Sequence, residues 1–233
     1  MKKRNFLTSK LFFLLFAITL LVSSCIKNNN FIKGDAKIRV FHVASTDTTQ
    51  NFFLNGRQLG SAATYGTNSS YIVVAGDSTY KITSRNINSA NDLTTLAAVH
   101  PSIGKNYSVY YTRKSTTAAP ELIYDEDDVR PNPDSAKVVF WNLGYTLGSP
   151  VIVTDSGNAF SKLTMVYGNK LTRKIKVNKS TKISFVLTTP TTTNPQPVVT
   201  LLDSTTISNG RVYTVIIDGS RTGELQKRLV SSN

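Results

Sequence analysis

The chain has 233 residues, 27 Lys and Arg against 14 Asp and Glu for a formal net charge of +13, and one cysteine. A single cysteine excludes an internal disulfide, so the folded part is held by packing, and the charge balance favours anionic partners while saying nothing about fold. Ser and Thr are abundant, ten Tyr and eleven Phe stand against one Trp and two Met, and no long 3.6-residue apolar period appears, which points to an all-β chain.

Lys2, Lys3, Arg4 and Lys10 precede an apolar run, Leu11 to Val22, of 12 residues. That is short of the roughly 20 needed to span a bilayer as a helix, so it reads as the core of a cleaved signal peptide, residues 1–24. Val22-Ser23-Ser24-Cys25 resembles a bacterial lipobox, and Cys25 is the expected lipidation site, carrying palmitate-type acyl chains. At ~0.8 kcal/mol per buried CH2, one chain holds marginally and two or three hold lastingly. The expected location is therefore the cell outer membrane, lipid-anchored. Surface export signals of Bacteroidota lipoproteins resemble a Lys followed by acids, whereas here Lys27 is followed by Asn28, Asn29 and Asn30. The periplasmic face and the cell surface both stay open. Residues 25–35 form the lipidated N-terminus and a polar spacer, up to about 30 Å long when extended.

From Ala36 the pattern is strand, turn, strand. Lys37 to Ala44 alternates as a strand covered on at least one face. Asn51–Leu54 and Arg57–Leu59 flank Asn55-Gly56, the pair that supplies the positive φ angles of a type I′ hairpin. Short strands follow at Tyr71–Val74, Thr79–Ser84, Leu93–Ala98 and Tyr107–Thr112, with turns at Gly76-Asp77 and Gly104-Lys105. This spacing predicts a β-sandwich over 36–124. The acidic, Pro-containing stretch 125–135 reads as a linker. A second sandwich follows over 136–220, with strands near Val151–Thr154, Arg173–Val177, Ile183–Thr188, Val198–Leu202 and Val212–Ile217. Thr188–Pro197 reads as a loop, and 221–233 as a polar C-terminal tail.

The second half repeats the first. Ala36-Lys37-Ile38-Arg39-Val40-Phe41-His42 is answered by Ala136-Lys137-Val138-Val139-Phe140-Trp141-Asn142, Tyr65-Gly66 by Tyr167-Gly168, Ser78–Ile82 by Ser180–Ile183, and Gly104–Val109 by Gly210–Val215. The same elements in the same order indicate a tandem duplication.

These residues, with Phe53-Leu54-Asn55-Gly56 and Val74-Ala75-Gly76, resemble the domain of unknown function 4397 family, which is common in cell-envelope lipoproteins of Bacteroidota. The resemblance covers nearly all of 36–218 and implies two tandem immunoglobulin-like or transthyretin-like antiparallel β-sandwich domains. Its marks are turn glycines and core aromatics, so it carries over no catalytic residue.

Sites of chemistry are sparse. His42 and His100 are the only histidines, and neither sits in a recognised catalytic motif. With Cys25 committed to lipid, two isolated His do not make a zinc site, and Asp125–Asp128 lacks the spacing and turn Gly of a calcium loop. No cofactor or metal is expected. Between Gly157 and Leu202 there are seven Lys or Arg and no acid; Lys170, Arg173, Lys174 and Lys176 form a candidate face for an anionic ligand. Tyr65, Tyr110, Tyr111 and Tyr167 would stack on sugars if exposed. Thr48, Ser78, Ser135 and Ser204 each follow an Asp in a pattern resembling a three-residue O-glycan acceptor of Bacteroidota envelope proteins. The expectation is a non-enzymatic binding or spacer module with a glycan or envelope-protein partner, not nucleic acid. The alternative is an accessory glycan-processing or metal-dependent enzyme using His42 or the acidic stretch.

Overall fold

The computed structural model describes residues 34–157, 160–187 and 200–232. The leader, Cys25, the spacer through Lys33 and the Thr188–Pro197 loop lie outside the described residues. Those described are all-β. The first half comprises β1 (Asp35–His42), β2 (Gln50–Leu54), β3 (Arg57–Gln58), β4 (Ile72–Ala75), β5 (Tyr80–Asn86), β6 (Thr94–Val99), β7 (Asn106–Arg113) and β8 (Pro120–Asp127). In the second half lie β9 (Ala136–Asn142), β10 (Val151–Asp155), β11 (Leu163–Met165), β12 (Lys170–Ile175), β13 (Lys182–Leu187), β14 (Thr200–Asp203), β15 (Val212–Gly219) and β16 (Leu225–Ser231).

The duplication holds strand for strand. Sheet β4-β1-β7-β8 packs on β3-β2-β5-β6, and β12-β9-β15-β16 on β11-β10-β13-β14, so each strand of the second half occupies the place of its counterpart eight strands earlier. Register agrees as well: Val40 pairs with Val109 and Phe140 with Val215. Both of these pairings are parallel, a departure from a purely antiparallel sandwich. After β1 the chain makes β2 and β3 in the opposite sheet, returns as β4 antiparallel to β1, makes β5 and β6 opposite, and re-enters at the end where β1 began, so β7 runs alongside β1 in the same direction. At Asn55 and Gly56 φ is 48° and 81°, as the type I′ turn joining β2 to β3 requires.

Each sandwich has its own core. Ile38, Val40, Phe52, Ile82, Val109 and Tyr111 fill the first; Val138, Phe140, Val153, Met165, Phe185 and Val215 fill the second. A third cluster joins them. Phe41, Val43 and Tyr110 from the outer face of β4-β1-β7-β8 meet Trp141, Leu143 and Ile216 from the outer face of β12-β9-β15-β16. These six are three equivalent pairs, Phe41 with Trp141, Val43 with Leu143 and Tyr110 with Ile216, so the seam is built by one face of the repeat meeting its own copy. Sheets covered on both faces lose the in-out alternation of a half-exposed strand. Hence β15 is buried at every position.

Two stretches read from sequence as unstructured are strands. Asp125–Asp127 is not linker but the end of β8, hydrogen-bonded along β7, and 225–231 is not tail but β16, paired with β15. Both are edge strands, and edges tolerate charge and proline. Asp125 pairs across the seam with Lys170, whereas Asp127 and Arg228 pair within their own sandwiches with Arg39 and Asp218.

Candidate functional site

The largest assembly of polar chemistry lies in this seam. Arg39, in the middle of apolar β1, is 4% exposed. Its Nε donates to Ser108 Oγ at 2.9 Å, and its guanidinium lies 3.3 Å from Asp127 Oδ2 and over the Tyr71 ring at 4.4 Å. Asp127 also accepts from Tyr71 Oη at 2.6 Å and from Ser108 Oγ at 2.7 Å. The remaining Arg39 nitrogens cross to the second sandwich, donating to Ser231 O and Ser232 Oγ. Strand equivalence puts Val139 at the place of Arg39 and Ser232 at that of Asp127, so this network belongs to one copy only. A buried charge is tolerated when it is paired and its hydrogen bonds are filled, and Arg39 meets both conditions.

A second network closes the far end. Arg228 on β16 donates to Asp218 Oδ2 at 2.6 Å and to the carbonyl of His42 at 3.4 Å. Burial pushes the Asp218 carboxyl up, against the pull of Arg228. Tyr65 donates to Gly219 O at 3.0 Å, and Tyr145 shares a 2.8 Å hydrogen bond with Thr46 Oγ1. Tyr167, the counterpart of Tyr65, lies beside Thr112 and Glu121 of the first sandwich, its phenol pushed up to about 12 chiefly by burial. The two Tyr-Gly turns thus reach from each sandwich into the other.

His42 has no exposed surface. Its Nε2 lies 2.9 Å from the Thr48 carbonyl, which requires the proton on that nitrogen, and Nδ1 is buried without a hydrogen bond. Burial lowers its pKa, opposed by the Thr48 carbonyl and Asp47 and assisted by Arg228. A neutral, enclosed imidazole fits a structural role, as at the equivalent Asn142, which bonds Met165 O and Gly144 N. His100 is exposed and sits 3.1 Å from Thr79 Oγ1.

The acidic residues disperse rather than converge. Asp127 turns to Arg39, Asp125 to Lys170, Glu126 to Lys105 and Asp128 to Lys137, and among the described residues no cluster of three His, Cys, Asp or Glu could hold a metal. A small polar cavity of about 70 Å³ lies beside Asp125 and Trp141, too small for more than a few waters.

The four basic residues read as one face divide. Lys170 is tied to Asp125 and lies over the Trp141 ring at 4.8 Å. Arg173 is half-buried and donates to Thr172 O. Lys174 and Lys176 are exposed, beside inward-facing Ile175. Of the aromatic candidates, Tyr110 and Tyr111 are interior, and Tyr65 and Tyr167 are spent in the seam. Thr48 and Ser204 are exposed and Ser78 half-buried, whereas Ser135 is only 8% exposed, which closes its hydroxyl to a modifying enzyme in the folded chain. Sequence reasoning passed over Arg39 and Trp141 as site residues. The available signal was an arginine inside an apolar strand.

No curated protein matches the chain. Among solved structures it is similar to CBMbc, a family 26 carbohydrate-binding module from Eubacterium rectale Amy13K, crystallised in complex with maltoheptaose. The two share 11% identity over 85% of this chain and 97% of that one, with a TM-score of 0.25. At that score the likeness says nothing about what this chain binds. The first sandwich and the opening strand of the second, residues 36–149, match the family described as "Domain of unknown function (DUF4397)".

Proposed function

We propose that this chain is a non-catalytic, lipid-anchored module of the cell envelope, a rigid body that binds or scaffolds a glycan or protein partner. The observation that carries the reading is the use made of the reactive side chains. Arg39, Asp127, Asp218, Arg228 and His42 are buried or half-buried and committed to the seam or the first core, whereas catalysis needs acids and bases within reach of a substrate. Docking side by side also favours a compact platform over a string of separate spacers. Attachment through Cys25 and an outer-membrane location rest on the leader.

Intact-mass analysis of protein recovered from membranes tests the anchor: acyl chains on Cys25 are expected, and an unacylated mature chain overturns it. Assay of the same protein against glycosidic, ester and phosphate substrates, with and without divalent metals, tests the rest. No turnover is expected; hydrolysis abolished by His42→Ala, in a variant that still folds, contradicts the reading.

A further inference from the structure

Charge divides unevenly between the two copies. Residues 136–232 carry twelve Lys and Arg against four Asp and Glu, while residues 34–135 carry nine against ten. The topology concentrates part of this excess at one end. β12 ends and β13 begins around Lys174, Lys176, Lys179 and Lys182, and Arg211 lies at the start of β15 next to Lys137, at the start of β9. Lys137 pairs with Asp128, and Lys182 stands opposite Asp203. Lys174, Lys176 and Lys179 are exposed, with no ion-pair partner among the described residues.

That end is also where the chain enters the fold. β1 begins beside the Gly104 turn, with Gly104 N donating to Asp35 O, and the 128–135 connection passes from the end of β8 to the start of β9. Arg39 binds Ser231 and Ser232 at the close of β16, so the starts of β1 and β9 share one end of the molecule. From Cys25 to Gly34 the intervening chain reaches about 30 Å when extended. Acylation at Cys25 would therefore hold this end within about 30 Å of the bilayer. At the same end of the first sandwich, among the described residues, the exposed acids Asp35 and Asp77 outnumber the one exposed lysine without an ion pair, Lys37, so net attraction to an anionic surface falls on the second sandwich.

We propose that the β12–β13 end, through Lys174, Lys176 and Lys179, is a docking surface for the anionic phosphate headgroups of the membrane that carries the tether. The proposal rests on acylation at Cys25 for its geometry. Its contacts are electrostatic: several lysines near a headgroup layer attract it additively, and salt screens them. Lys170 and Arg173 lie outside the surface, one paired with Asp125 and the other half-buried with its guanidinium on the Thr172 carbonyl.

The test uses the full chain, acylated, in phosphatidylcholine vesicles with or without phosphatidylglycerol, with amine labelling read by mass spectrometry. Labelling of Lys174, Lys176 and Lys179 is expected to fall at least threefold on the anionic vesicles and to recover in 1 M salt, roughly where the screening length drops to 3 Å. Free inorganic phosphate should give no protection. Lys174→Glu/Lys176→Glu/Lys179→Glu should weaken co-sedimentation with anionic vesicles by about 100-fold, at roughly fivefold or more per charge. Lys114→Glu/Arg221→Glu, at the opposite end, should leave it unchanged. Equal labelling on both vesicle types, or equal loss in both variants, overturns the proposal. Acylation is read from the intact mass of the same sample, so failure of the tether and failure of the basic surface are separate results.

Discussion

Trp141 meets Tyr110 edge-on across the seam, ring centroids 4.6 Å apart at 64°. One residue comes from each copy, and each is 5% exposed or less. Edge-to-face pairs add about 0.5–1.5 kcal/mol to the burial of the rings, and Phe41 stacks on Tyr110 from its own sandwich with ring centroids 4.9 Å apart. Trp141→Ala should cost about 3–5 kcal/mol and, by loosening the joint, split calorimetric unfolding into two steps. A single unshifted endotherm would mean the rings touch without holding the sandwiches together.

Arg39 and Asp127 form the seam's one-copy network. Asp127→Ala leaves a buried guanidinium unpaired and should cost about 3–5 kcal/mol. Arg39→Val/Asp127→Ser installs what the second copy carries at the equivalent places. Chemical denaturation of the two single variants and the double should show the double less destabilised than the sum, with a coupling of about 1–3 kcal/mol. Strict additivity would show that the pair acts separately.

His42 makes stability depend on pH. Burial holds the folded imidazole below its ordinary 6.5, so the unfolded chain takes up a proton before the folded one does. Stability from this group is present above pH 6.5 and is lost as pH falls from there toward the lower folded value. His42→Asn copies the equivalent Asn142. Melting temperatures of the two proteins between pH 7.5 and 5 should diverge, the variant falling less. Parallel curves would assign the acid sensitivity elsewhere.

Gly56 isolates a backbone effect. At φ 81° an added Cβ meets nothing within 4 Å, so Gly56→Ala should cost only the strain of a left-handed residue, about 1 kcal/mol. That is a fall of roughly 2–4 °C in melting temperature for a chain of this size. A much larger fall would place the β2–β3 hairpin under packing constraints that the open surroundings of Gly56 do not supply.

Alternation, turn glycines and repetition made most strands legible, because each is a local property of the chain. β8 and β16 escaped since Asp125, Asp127, Lys227 and Arg228 look solvated in one dimension. Their partners, Lys170 for Asp125, Arg39 for Asp127 and Asp218 for Arg228, lie on strands distant in sequence or in the other sandwich. Arg39 was equally opaque: its acid lies on a strand read as linker, and its partners across the seam, Ser231 and Ser232, lie near the C-terminus. His42 could be assigned a polar place in its sheet from the Asn142 equivalence, since that comparison needs no tertiary contact. The basic run was visible as composition, but only pairing and burial separate the tied Lys170 from the free Lys174 and Lys176.

Trp141 is the only tryptophan and stands in the joint itself, which makes its emission a direct probe of docking. Equilibrium unfolding in guanidinium chloride should be followed on one sample by Trp141 fluorescence and by far-ultraviolet circular dichroism. The expected result is blue-shifted emission in the native protein and two superimposable curves with one midpoint. Emission that is already solvent-like in buffer, or that shifts red well before the β-signal is lost, would contradict a body made of two sandwiches fused through their shared face.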